Sequence, residues 1–250
     1  MINLVRAEFR KVFSTQVWFW MLFICLGLTA LGVALPIGTS GDAEVQRHIR
    51  DVLSTVAEVP AYAPLFVLGV LSVTTEYRYQ TITPTVLTTP SRARLITSKL
   101  IATALLGIGY ALACLALELA IGLPWLAARN IDVHLGSHLG AILGVFLVLA
   151  LFAVVGLGAG ALIKNQIVAV SVGLAFVLIL DHIVVGIPGA KHVYPYLLSG
   201  ATEAITNSPV ERTVNGVHLL SPGGGVAVLI VWGLVMAGLG AGLTMNRDIT

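Results

Sequence analysis

Hydrophobic and polar positions alternate along this chain in blocks, and the blocks are longer than any soluble helix or strand needs. Six apolar runs, at about 17–37, 59–75, 98–123, 139–162, 167–187 and 225–245, are separated by polar stretches. Runs of roughly twenty residues match the length a helix needs to cross a bilayer, whereas barrel strands alternate over about ten. Because lipid offers no partner to backbone groups, each run closes its hydrogen bonds within itself as a helix. Ahead of the first run, residues 2–16 read differently. Ile2, Val5, Phe9, Val12 and Phe13 fall on one helical face, and Arg6, Glu8, Arg10, Lys11 and Ser14 occupy the rest. The pattern predicts an amphipathic surface helix with a basic polar face, in which Arg6, Arg10 and Lys11 hold it at the membrane surface.

Composition agrees with the pattern. The 250 residues are 57% hydrophobic and 10% charged, against about 25% charged in a soluble domain. The expected fold is an all-α membrane protein: a single transmembrane domain over residues 1–250, with six spans and the N-terminal surface helix. The first run is longer than a signal-peptide core and no small-residue cleavage site follows it, so it reads as a retained span. Cys25 and Cys114 both lie inside apolar runs and read as buried free thiols.

Charge sets the expected orientation. With the N-terminus, segment 76–99, the turn at Lys164 and the C-terminus on one side, that side holds Arg6, Arg10, Lys11, Arg78, Arg92, Arg94, Lys99, Lys164 and Arg247. The opposite side holds Arg47, Arg50, Arg129, Lys191 and Arg212, with most of the acids. The positive-inside rule then places both termini in the cytoplasm of a multi-pass plasma (inner) membrane protein.

Several chemistries are excluded by what the sequence lacks. There is no GxxxxGK[ST], no HExxH and no Cys/His set at zinc spacing. Leu198-Ser199-Gly200-Ala201 echoes an ATP-cassette signature but falls in the expected outer loop, with no Walker motif anywhere. Gly156-x-x-x-Gly160 and Gly238-x-x-x-Gly242 allow close helix approach, read first as packing within one protomer. Glu118 within the third run, and Asp181 and His182 toward the end of the fifth, are ionisable groups at membrane depth. They read as lining a translocation path or its outer gate, with the plainer alternative that Asp181 and His182 end their span and Glu118 is a neutral packing acid. The loop 188–223 is too long for a connector, and its apolar part 193–205 reads as helices dipping back into the outer face.

The most distinctive polar stretch is Glu76 to Lys99, which carries Arg78, Arg92, Arg94 and Lys99. Thr81 to Thr89 is weakly helical and broken by Pro84; after Pro90, Ser91 suits the cap of a helix starting at Arg92. By charge alone it is a solvated loop of the positive side. The order Glu76-Tyr77-Arg78, Thr81-Ile82, Leu87, Pro90-Ser91-Arg92, Leu95, Lys99-Leu100 resembles the hallmark of ABC-2 type transporter permeases, with Gln80 standing where glycine is commoner. Ala7-Glu8-Phe9-Arg10-Lys11 and the terminal Arg247-Asp248 are similar to the same family. The resemblance implies the ABC-2 exporter fold and a permease subunit that moves a hydrophobic or amphipathic compound outward: a drug, lipid, envelope precursor or peptide. It implies two such chains, identical or paralogous, pairing above two nucleotide-binding ATPase subunits. ATP and magnesium would sit on those partners, leaving this chain with no cofactor and no catalysis of its own. Membrane lipid is expected as a partner and nucleic acid is not. Segment 76–98 would be the coupling loop, with Glu76, Arg78, Thr81, Arg92, Arg94 and Lys99 engaging the ATPase. The residues alone leave two other readings open: a proton-coupled secondary carrier and a non-transporting membrane anchor for an ATPase.

Overall fold

The computed structural model describes residues 1–47, 61–79, 92–131, 135–163, 165–184, 187, 190–206, 213–214 and 216–245. These are nearly all helical. Helix α1 is Ile2–Phe13, α2 Val17–Thr39, α3 Asp42–Arg47, α4 Tyr62–Arg78, α5 Arg92–Ala128 and α6 Leu135–Leu162. Then come α7 Gln166–Ala175, a π-helical segment Phe176–Leu180, α8 Asp181–Val184, a 3-10 helix Lys191–Tyr196, and α9 Leu198–Thr206. A two-stranded antiparallel hairpin, β1 Thr213–Val214 with β2 Val217–His218, turns at Gly216 (φ +76°) and precedes α10, Pro222–Met245.

Among the described residues, four helices are long and apolar enough to cross a membrane: Val17–Thr39, Arg94–Ala128, His138–Leu162 and Pro222–Gly240. Their outward faces are aliphatic and aromatic, from Phe19, Trp20 and Phe23 on α2 to Val231, Leu234 and Leu239 on α10. In water such a surface would aggregate; in a bilayer it meets lipid. The protein is therefore membrane-embedded. The apolar segment at 62–78 is shorter, with 17 residues and a rise of about 25 Å. The one at 166–184 is helical throughout but passes through the π-helical turn.

Local chemistry explains the boundaries. Asn165 caps α7, its Oδ1 accepting from the amides of Ile167 (3.0 Å) and Val168 (3.2 Å). Ser221 caps α10 by accepting from the Gly224 amide at 3.2 Å, and Pro222 takes the first helical position, where its missing N–H is no loss. Two prolines do not stop the apolar helices they fall in. Pro36 lies inside α2, and Pro124 lies inside α5, which runs 37 residues rather than ending near 123. The surface helix ends at Phe13, short of residue 16, because the Ser14 and Thr15 hydroxyls fold back onto the carbonyls of Lys11 and Val12.

Helix α6 is the centre of the bundle, with α4, α5, α9 and α10 against it. Glycine makes this possible at two contacts. A methyl group on Gly156 would run into the Phe66 carbonyl of α4, and one on Gly160 would lie 2.7 Å from the Val70 carbonyl. The glycine pair on α6 thus serves packing within one protomer, as the sequence suggests. Gly238, the first of the pair on α10, does not. The inward face of α10 is Gly225, Leu229, Gly233, Ala237 and Gly240, and Gly238 sits on the outward side with nothing within 4 Å of a Cβ. The 3.6-residue phase set by Leu229 and Ala237 decides this.

The two ends of the bundle are distinct. At one end gather α1, the end of α4, the start of α5, the α6–α7 turn and the last turns of α10, where Gly240 meets Ala161. At the other, Arg129 after α5 donates to the Ser40 carbonyl at 3.1 Å and to Asp42 at 3.3 Å, joining the far ends of α2 and α5. Helix α4 does not reach that far end. Cys25 donates to the Ala61 carbonyl at 3.2 Å, so α4 begins beside the middle of α2 rather than level with its far end. The long loop contains structure, as its apolar content implies: α9 is buried along most of its length, with the Ile205 carbonyl 2.9 Å from a Cβ on Gly144 of α6.

Candidate functional site: a buried ion-pair ring

Helix α1 packs on the first turns of α5, turning Val5, Glu8, Phe9 and Val12 inward. The sequence reading puts Glu8 on the solvent face; the structure puts it at the middle of the buried one. Positions 5, 8 and 12 share a face at 3.6 residues per turn, and the apolar set chosen from the sequence includes Ile2 and Phe13, which point outward.

Across from Glu8 are Glu76, in the last turn of α4, and Lys99, in the second turn of α5. The Lys99 ammonium donates to Glu8 Oε2 at 2.9 Å and to Glu76 Oε1 at 2.6 Å. Lys11 donates to Glu8 Oε1 at 2.9 Å and to the same Glu76 oxygen at 2.7 Å. Two acids and two bases therefore close a ring that is neutral overall. Lys99, Glu8 and Glu76 expose 8%, 9% and 6% of their side chains, so the ring is dry on three sides, and only Lys11, 45% exposed, opens to solvent. Lys99 also approaches the Ser72 carbonyl at 3.4 Å.

The electrostatics follow from this geometry. Burial pushes the Glu76 carboxyl up, but the charge of Lys99 and the hydrogen bonds from Lys11 and Lys99 outweigh it and hold Glu76 below the usual carboxylate range. For Lys11 burial pulls down, and the bonds to Glu76 and Glu8 reverse it, so its ammonium is held above the usual lysine value. A charge buried without a partner costs several kcal/mol; the ring supplies every member with two.

The other expected site residues are placed as follows. Arg78 turns from the ring to the α6–α7 turn, where Nη1 donates to Gln166 Oε1 at 3.3 Å and the guanidinium lies 5.6 Å over the Tyr79 ring. Arg6, Arg10 and Arg94 are exposed. Of the expected surface anchors, Lys11 instead joins the ring. Thr81 lies outside the described residues, as do the side chains of Arg92, Asp181 and His182; the backbone at those three is helical.

Glu118 lies elsewhere, on the buried face of α5 with Tyr110 and Cys114. It is 1% exposed, and neither carboxyl oxygen has a hydrogen-bond partner among the described residues. One turn away, Cys114 Sγ is 3.3 Å from Cys25 Sγ, and the Tyr110 hydroxyl donates to the Trp18 carbonyl. Both cysteines are free and buried, as the sequence indicates. Among the described residues no group of three or more His, Cys, Asp or Glu side chains is placed to hold a metal ion.

No protein-family model matches this chain, and no curated protein matches it. The residue that reasoning from sequence missed is Glu8. It is the only acid on α1, three positions before Lys11, and it interrupts an otherwise apolar stripe; that interruption was the available sign.

Proposed function

We propose that this chain is the membrane subunit of an ATP-driven exporter of the ABC-2 type. In this reading α4 and the continuous helical segment 166–184 join the four long helices to make six spans. The end carrying the ring faces the cytoplasm of the plasma membrane. The observation that carries it is the ring. Residues from the two sequence stretches that resemble the family, Glu8 and Lys11 in one and Glu76 and Lys99 in the other, meet at one buried site. The helix ends that flank the basic segment after Arg78, the last turn of α4 and the first turns of α5, both contribute to it.

ATPase partners bind at that end, and their closure moves the coupling segment, with Arg92 and Arg94 as contact residues. ATP and magnesium stay on the partners. The cargo is a hydrophobic or amphipathic compound that enters between two permease chains. The test is purification from membranes in mild detergent. The chain is expected to carry along a nucleotide-binding subunit identifiable by its Walker motif, and to show no ATP hydrolysis when purified alone. Hydrolysis by the isolated chain, or a wild-type preparation free of any nucleotide-binding subunit, would overturn the reading.

A second reading is favoured by Glu118. A carboxyl buried in a membrane helix, with no partner among the described residues, is the expected proton site of a proton-coupled carrier. Export that persists on a proton gradient without ATP, and is lost in Glu118→Gln, would select it.

A further inference from the structure

We infer that Glu8 is a positioning residue that locks α1 to the membrane helices through Lys99, so that α1 and the adjoining ends of α4 and α5 move as one body. The consequence for transport rests on the export reading above; the linkage itself does not.

The apolar face of α1 cannot supply this lock alone. Val5, Phe9 and Val12 are only partly buried, and contact between aliphatic surfaces is non-directional, so the helix could slide or roll without large loss. Glu8 removes that freedom. Its two oxygens are divided, one to Lys11 on its own helix and one to Lys99 on α5. Lys99 in turn bridges α1 to α4 through Glu76, beside the half-exposed Lys11, which reaches the same Glu76 oxygen directly from α1. A shift of α1 by one residue would strand charges in a nearly dry site, which is far costlier than losing an apolar contact. The exposed cations of α1, Arg6 and Arg10, point away and take no part.

Neutrality separates positioning from simple charge balance. Glu8→Gln leaves two ammoniums with one carboxylate. Glu8→Gln with Lys11→Gln restores balance, keeps the Lys99–Glu76 pair, and still cuts α1 loose. Hydrogen exchange is read on the chain in lipid nanodiscs, and export is read on the complex with its co-purified ATPase in sealed proteoliposomes. Glu8→Gln is expected to speed amide hydrogen exchange in α1 by roughly a hundredfold. The double variant should recover the unfolding midpoint of the wild type but not the protection of α1. In the complex, both variants should keep hydrolysing ATP while export per ATP falls by about tenfold or more. Wild-type protection of α1 in the double variant overturns the lock. Unchanged export per ATP with α1 released overturns its role in transport. If no ATPase accompanies the wild type, the export reading fails, and the exchange measurement decides the lock by itself.

Discussion

At the scale of single residues, Glu76 carries more than its position at the end of a helix indicates. One of its oxygens accepts from both Lys11 and Lys99. Glu76→Gln should therefore destabilise the chain by about 3–5 kcal/mol, the range for breaking a buried pair, measured by denaturation in detergent. The pH dependence follows from the directions of the shifts. The folded Glu76 value is depressed, so its contribution is present above the ordinary carboxylate range and lost as pH falls through the lower folded value. The folded Lys11 value is raised, so its contribution is present below the ordinary lysine value and lost as pH rises through the higher one. Attachment of α1, followed by hydrogen exchange, should be flat between about pH 5 and pH 10 and fail first on acidification as Glu76 is protonated. A loss centred near neutral pH would point to a group outside the ring. The residue types here were legible in the sequence: Glu76, Lys99 and Lys11 stood out as charges flanking hydrocarbon. Their mutual pairing was not, because Glu8, Glu76 and Lys99 are far apart in sequence and only the bundle brings them within hydrogen-bonding distance.

At the scale of elements, α4 is a short helix held by glycine. The backbones of α4 and α6 touch where Gly156 faces Phe66 and where Gly69 faces Ala153, leaving no room for a Cβ. Gly156→Val should separate the two helices and lower stability by about 1–3 kcal/mol or more, as overpacking does. Gly238→Val, on the outward face of α10, should leave the isolated chain within about 0.5 kcal/mol of wild type. Thermal unfolding of the two side by side checks the assignment of faces. Helix existence was plain from the apolar runs. Helix ends were not always so: α5 runs through Pro124 to Ala128 rather than ending near 123, while α4 begins beside Cys25. Composition reports how apolar a segment is, but its depth is fixed by its neighbours.

At the scale of the whole molecule, one end is knit by the ring and by Arg78 on Gln166, and the other by Arg129 on Ser40 and Asp42. If the ring end is cytoplasmic, a cysteine at Thr83 should react with a membrane-impermeant maleimide only from the inside, and one at His218 only from the outside. Thr206, although it falls in the expected outer loop 188–223, is buried in α9 and would stay unlabelled in the folded protein. Cys25 and Cys114 are both fully buried and give little background. Reversed accessibility would invert the orientation. Charge reversal at Arg92 and Arg94 should leave insertion intact and weaken association with the ATPase; unchanged association and export would reduce the segment to a topological signal.

The sequence by itself determined the solvent and the material: long hydrocarbon runs demand a bilayer and helices, and the bias of positive charge gives an expected orientation. It also carried the family resemblance in the segment from Glu76 to Leu100. Tertiary structure alone decided which polar groups share a site. Helical phase turns Glu8 inward and Gly238 outward, and glycine contacts set how closely α4 approaches α6. A buried charge must find its partner wherever the bundle places one, and here residues from three helices, distant along the chain, meet at Lys99.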